Sequence, residues 1–196
     1  MPRAKLVFSA NSWPRPTATA NGPPRFRAWP TGPRRKATTA CAICWAIWPK
    51  YHGKTFADRA GEVPALNTAA PGHGRKAVIY ATCFANYNEP AMGLAARSVL
   101  AHNGVATEVV YPSCCGMPLW EQGDLEAVAA NARKVAAEMA TWIDQGNAII
   151  ALVPSCALML KTEWPLLLPD DEAVRRLAAN THDITEYMVA LAKEAG

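Results

Sequence analysis

The chain has 196 residues, of which 51% are hydrophobic and 18% charged, with a formal charge of +4. That length fits one α/β domain plus an extension and is short for two ordinary domains, and no apolar run approaches the roughly 20 residues that cross a bilayer, which argues against an integral membrane protein. The net charge conceals a division: residues 1–50 hold nine Lys/Arg and no acid, whereas residues 51–196 hold eleven Lys/Arg against sixteen acids, so that +9 is followed by −5.

In chain order, residues 1–50 carry eight of the sixteen prolines and four of the seven tryptophans (Trp13, Trp29, Trp45, Trp48) without helical or alternating period, and they read as an irregular or disordered basic arm. The stretch Ala4 to Ala10 is too brief and too polar for a secretory signal, so the expected location is cytoplasmic. Clusters such as Arg34-Arg35-Lys36 suit phosphates in principle, but no recognition motif accompanies them, so nucleic-acid binding is not expected. Residues 51–75, with Gly53, Gly61, Pro64, Pro71, Gly72 and Gly74, read as a linker, and a domain is expected over 76–196.

Lys76 to Ala81 is a short β-branched run that ends at Thr82-Cys83, as a buried parallel strand would. Glu89 to Asn103 spaces Met92, Ala95, Ala96, Val99 and Leu100 as a helical face, with Asn103-Gly104 as its stop. Thr107 to Tyr111 reads as a second strand running into Ser113-Cys114-Cys115-Gly116. Asp124 caps a predicted helix to about Asp144, its stripe Leu125, Val128, Ala132, Val135, Met139 and Trp142 or Ile143. Ala148 to Val153 forms a third strand, followed at once by Pro154-Ser155-Cys156, and two helices are expected over 171–179 and 183–194, each with an acid, Asp171 and Asp183, available as N-cap. The order β-α-β-α-β predicts an α/β fold, a three-layer parallel sheet with helices on both faces. Ligands of such sheets sit outside the carboxyl ends of the strands, which is where Cys83, Cys114, Cys115 and Cys156 fall.

Six cysteines in a reducing compartment point to metal ligation or thiol chemistry rather than to structural disulfides. Soft thiolates suit a cluster or a zinc ion equally, and sequence leaves both open, next to the plainer reading of four small buried side chains. Cys41 and Cys44 have knuckle spacing but no strand-to-helix context. His52, His73, His102 and His182 share no ligand spacing. Asn86, Tyr87, Asn88 and Trp164 follow ligand candidates and are read first as capping and packing residues, as is Met159. No G-x-G-x-x-G follows a strand, so hydride chemistry would need a partner.

The stretches Ala81-Thr-Cys83-Phe, Pro112-Ser-Cys-Cys-Gly-Met-Pro118 and Val153-Pro-Ser-Cys156-Ala-Leu-Met-Leu-Lys161 resemble the cysteine-rich CCG domain family. Members of that family include the cysteine-rich subunit of heterodisulfide reductase, the iron–sulfur subunit of anaerobic glycerol-3-phosphate dehydrogenase and related Fe–S oxidoreductases of lactate and glycolate use. The resemblance implies an iron–sulfur cluster, expected as [4Fe-4S], on Cys83, Cys114, Cys115 and Cys156, and an electron-transfer role. It also implies a flavin-containing dehydrogenase subunit or a second cysteine-rich domain as partner, in a complex that lies peripherally at the inner membrane. The family pattern closes with Cys-x-x-Cys; here the second position is Met159, whose thioether is a poor cluster ligand. The competing readings are a zinc-bound structural or interaction module without redox turnover, and the remnant of a longer Fe–S oxidoreductase.

Overall fold

The computed structural model describes residues 51–194. Four parallel strands, β1 (Lys76–Tyr80), β2 (Ala106–Val110), β3 (Ala148–Ala151) and β4 (Thr181–Asp183), lie in the order β2-β1-β3-β4. The register sets Val78 beside Glu108 on one flank and Ile149 on the other, and Tyr80 beside Val110 and Ala151. Among the described residues, seven α-helices accompany them: α1 (Pro90–His102), α2 (Met117–Glu121), α3 (Leu125–Asp144), α4 (Pro154–Leu158), α5 (Trp164–Leu167), α6 (Glu172–Asn180) and α7 (Ile184–Glu194).

The period of two along the strands splits the interior into two cores. Val78, Tyr80, Ile149 and Ala151 face Val128, Val135 and Met139 of α3, Trp164 of α5 and Leu177 of α6. Ala77, Ile79, Ile150 and Leu152 face Leu100 of α1 and Tyr187 and Leu191 of α7. The central strands are therefore covered on both faces, which explains why β1 and β3 are near-continuous apolar runs. The α/β expectation holds, with strand ends within two residues of those read from sequence.

Local chemistry sets the helix boundaries. Asp124 Oδ1 accepts the Ala127 N–H at 3.2 Å, and Asp171 Oδ1 accepts that of Val174 at 3.1 Å. Asp183 accepts from the Thr185 N–H at 2.8 Å while Glu186 reaches back to the Asp183 N–H at 3.3 Å, a reciprocal cap for α7. After α1, Gly104 takes a φ of +86° so that Gly104 N–H bonds Ala101 O and Val105 N–H bonds Leu100 O, the paired closure that turns a helix end back toward a strand.

Several findings differ from the sequence reading. Strand β4 was not expected, because three polar-leaning residues show no alternation; pairing with β3 and the Thr181 Oγ1 bond to Leu177 O at 2.8 Å define it. On α1 the buried face is turned: Val99 is 47% exposed, whereas Arg97 is buried at 1%, because its guanidinium donates to Ala60 O, Glu62 O and Thr107 O. On α3, Leu125 is exposed, at the first turn, where the stripe has not yet reached the sheet. Residues 51–75, read as a linker from their glycines and prolines, contain little regular structure but are packed: Phe56 is fully buried in the α1 core.

Candidate functional site

Each of the three loops that leave β1, β2 and β3 carries cysteine. The chain goes from β1 to β2 on one side and then crosses back past β1 to β3, so β1 and β3 flank the point where the strand order reverses, the place where open parallel sheets form crevices. Cys83 follows β1, Cys156 follows β3, and the pair Cys114-Cys115 leaves β2 beside them.

Cys83 opens a π-helical turn, Phe84–Asn88. The fully buried Thr82 shapes its entry, its hydroxyl accepting the Ala85 N–H at 3.1 Å and its carbonyl the Asn86 N–H at 2.8 Å. Cys156 sits in the first turn of α4, where Pro154 occupies the opening position that needs no N–H. Between them, Cys114-Cys115-Gly116 makes a sharp bend. Gly116 has φ +83° and Val128 is the nearest neighbour to its missing Cβ, at 3.6 Å, so glycine is required by the left-handed backbone and not by crowding. The bend brings the Gly116 N–H to 3.4 Å from Cys114 Sγ.

The structure brings all four predicted thiols to this edge. Cys83 Sγ lies 3.7 Å from Cys114 Sγ, and Cys115 Sγ lies 3.3 Å from Cys156 Sγ. Cys115 and Cys156 are buried; Cys83 and Cys114 are partly exposed. Contacts with the Cys115 and Cys83 thiols hold the Cys114 thiol below its ordinary range, with help from the Gly116 and Cys115 amides. The same contact with Cys114 pushes Cys83 up, and contacts with Cys114 and Cys156 push Cys115 up. Cys156 is lowered by Cys115 first and by Ser155 in part. The row therefore shares its protons, with Cys114 and Cys156 favouring the thiolate, the form that ligates soft metals and attacks electrophiles.

Three side chains hold the Cys114-Cys115 loop, and of these sequence reasoning singled out only Trp164. Tyr80, fully buried in β1, donates its hydroxyl to Ser113 O at 2.6 Å, and burial keeps that phenol neutral. Asn131 Nδ2 donates to Cys114 O. Trp164 Nε1, named from sequence only as a follower of Cys156, donates to Cys115 O at 3.2 Å. The sequence signal for Tyr80 was a polar atom at the end of a buried strand, and for Asn131 a polar residue three positions after the core residue Val128.

Met159 is fully buried, in the same core cluster as Trp164. Asn86 is 2% exposed and its side chain accepts the Ala57 N–H. Tyr87 stands edge-on to Tyr111, whose chain leads into the cysteine pair. Asn88 Oδ1 is buried and lacks a hydrogen-bond partner among the described residues. Cys41 and Cys44 lie outside the described residues.

The donor set is purely thiol, which suits a thiolate-ligated centre. Among the described residues, however, no group of three or more His, Cys, Asp or Glu side chains converges as a single-ion site; the sulfurs meet in pairs. No described helix is long and apolar enough to cross a membrane.

Comparison with known proteins places these loops in context. Residues 77–161 match the family model described as a cysteine-rich domain, CCG. The chain is 29% identical over 121 residues to lactate utilization protein A of Bacillus pumilus (strain SAFR-032). That alignment covers 58% of this chain and 48% of the relative, so the chain spans about half the length of the curated relative it matches. No solved structure matches the chain.

Proposed function

From the premise that residues 77–161 form a cysteine-rich CCG domain, we propose that the chain is an iron–sulfur electron-transfer module of an oxidoreductase complex. The observation that supports the reading is the gathering of four thiols from three separate strand ends at one edge of the sheet, as the close pairs Cys83–Cys114 and Cys115–Cys156. Cys83, Cys114, Cys115 and Cys156 would hold the centre, and a [4Fe-4S] cluster there would supply one-electron chemistry to the edge of the sheet.

The protein's own contribution is to fix the ligands and their surroundings. Tyr80, Asn131 and Trp164 set the carbonyls of Ser113, Cys114 and Cys115, and thereby the direction of both middle thiols. The Gly116 amide donates toward Cys114 sulfur, the kind of contact that tunes a cluster's potential. The trans partner would be a flavin-bearing dehydrogenase subunit or a second cysteine-rich domain. The name of the half-matched relative makes a 2-hydroxy acid such as lactate the first substrate to try for the assembled complex.

A zinc module remains the competing reading, on one observation: sulfurs on a tetrahedral zinc with bonds of ~2.3 Å stand roughly 3.8 Å apart, and the Cys83–Cys114 separation is 3.7 Å. Iron, sulfide and zinc analysis of the anaerobically purified full chain, with visible and EPR spectra, separates the two. The expected result is iron with matching sulfide, lost in Cys114→Ser and Cys156→Ser. Stoichiometric zinc without sulfide or a reducible band overturns the electron-transfer reading.

A further inference from the structure

We propose that residues 51–57, which lie ahead of the family match, are a positioning clamp for Cys83. This rests on the reading that Cys83 works with Cys114 at the thiol edge. Cys83 opens a π-helical turn, a rare geometry, and contacts from outside the turn hold its residues. Residues 51–57 supply those contacts at several points. The Phe56 N–H donates to Asn86 O at 3.0 Å, the Ala57 N–H to Asn86 Oδ1 at 2.9 Å, and the His52 N–H to Tyr87 O at 2.9 Å. Tyr51 adds an edge-on ring contact to Tyr87 at 6.1 Å.

The clamp has its own anchor. The Phe56 ring is fully buried against Gly93 of α1 so closely that a Cβ there would stand 2.6 Å from it. A few residues further along, buried Arg97 ties Ala60 O and Glu62 O to Thr107 of β2. The segment is thus fastened to α1 and β2 and presents its amides to the turn after Cys83. From Tyr87 the contacts continue to Tyr111, edge-on at 5.6 Å and three residues ahead of Cys114, so both partners of the 3.7 Å sulfur pair are held from one side. Cys115 and Cys156, in contrast, are held by Trp164 and by α4.

The asymmetry defines the test. The reduced, metal-free full chain is treated with iodoacetamide under native conditions, and alkylation of each cysteine is timed by peptide mass spectrometry. His52→Pro deletes one exposed donor without entering the core, and Asn86→Ala deletes a buried acceptor. In each, Cys83 is expected to react roughly tenfold faster than in the parent as the turn opens locally, with Cys115 and Cys156 unchanged within about twofold. Phe56→Ala is expected to do the same and Phe56→Leu to restore the parent rate. A parallel rise at all four cysteines would show general loosening and overturn the proposal, as would an unchanged Cys83 rate. Because the readout is thiol reactivity without metal, its failure is distinct from a failure to bind a cluster.

Discussion

At the scale of single residues, the buried polar groups around the thiols do more than the thiols' own spacing to set the geometry. Tyr80 illustrates this: on a strand buried on both faces its ring fills the core, while its hydroxyl satisfies a carbonyl in the loop of another strand. Tyr80→Phe keeps the ring and removes the donor from a part-buried carbonyl, with an expected loss of about 1 kcal/mol. Urea unfolding of the pair would show it, and a midpoint identical to the parent would mean that water replaces the bond. Met159 is the contrasting residue. It stands where the family resemblance would put a further cysteine, and it is a fully buried side chain in the same core cluster as Trp164, in keeping with its reading as a packing residue.

At the scale of elements, β4 is the informative case. It is three residues long, lies at the edge beside β3, and carries His182 edge-on to Tyr187 of α7. Burial lowers the His182 pKa, an effect larger than the opposing attraction of Glu186. A histidine whose folded pKa lies below its unfolded value stabilises the fold above that unfolded value, and the contribution is lost as pH falls through the folded one. Thermal stability is therefore expected to drop between about pH 7 and pH 5, and His182→Gln to flatten that drop. Equal slopes in parent and variant would assign the loss to other groups. Glu186 itself is lowered by its bond to Lys161 and works in the same direction at more acidic pH. The 51–75 segment makes a second point at this scale: its low regularity and high Gly and Pro content conceal a buried anchor, Phe56.

At the scale of the whole molecule, the strand order predicts a gradient of local stability. β1 pairs on both sides and is buried from Ala77 to Tyr80, whereas β2 is an edge strand with no fully buried residue. Amide hydrogen exchange is expected to be slowest in β1 and β3, and faster in β2 and β4. Protection of β2 equal to that of β1 would show that its outer edge is covered in solution. The consequence for function is that the loops leaving β1 and β3 stand on the rigid centre of the sheet, while the Cys114-Cys115 loop leaves its edge and needs Tyr80, Asn131 and Trp164 to hold it.

Sequence alone was enough for the α/β class, the first three strands, the caps at Asp124, Asp171 and Asp183, and the placement of Cys83, Cys114, Cys115 and Cys156 at strand ends. These are local matters: apolar period, capping chemistry and residue order are written in neighbouring positions. What depends on distant partners was decided by the tertiary structure. A three-residue strand exists only because β3 offers it a ladder, Arg97 is tolerated inside only because three carbonyls converge on it, and Phe56 is buried only because Gly93 leaves room. The pairing of the sulfurs belongs to the same group, since Cys83 meets Cys114 and Cys115 meets Cys156 across 31 and 41 residues of chain, and only the parallel register and the strand-order reversal at β1 and β3 bring those loops to one edge.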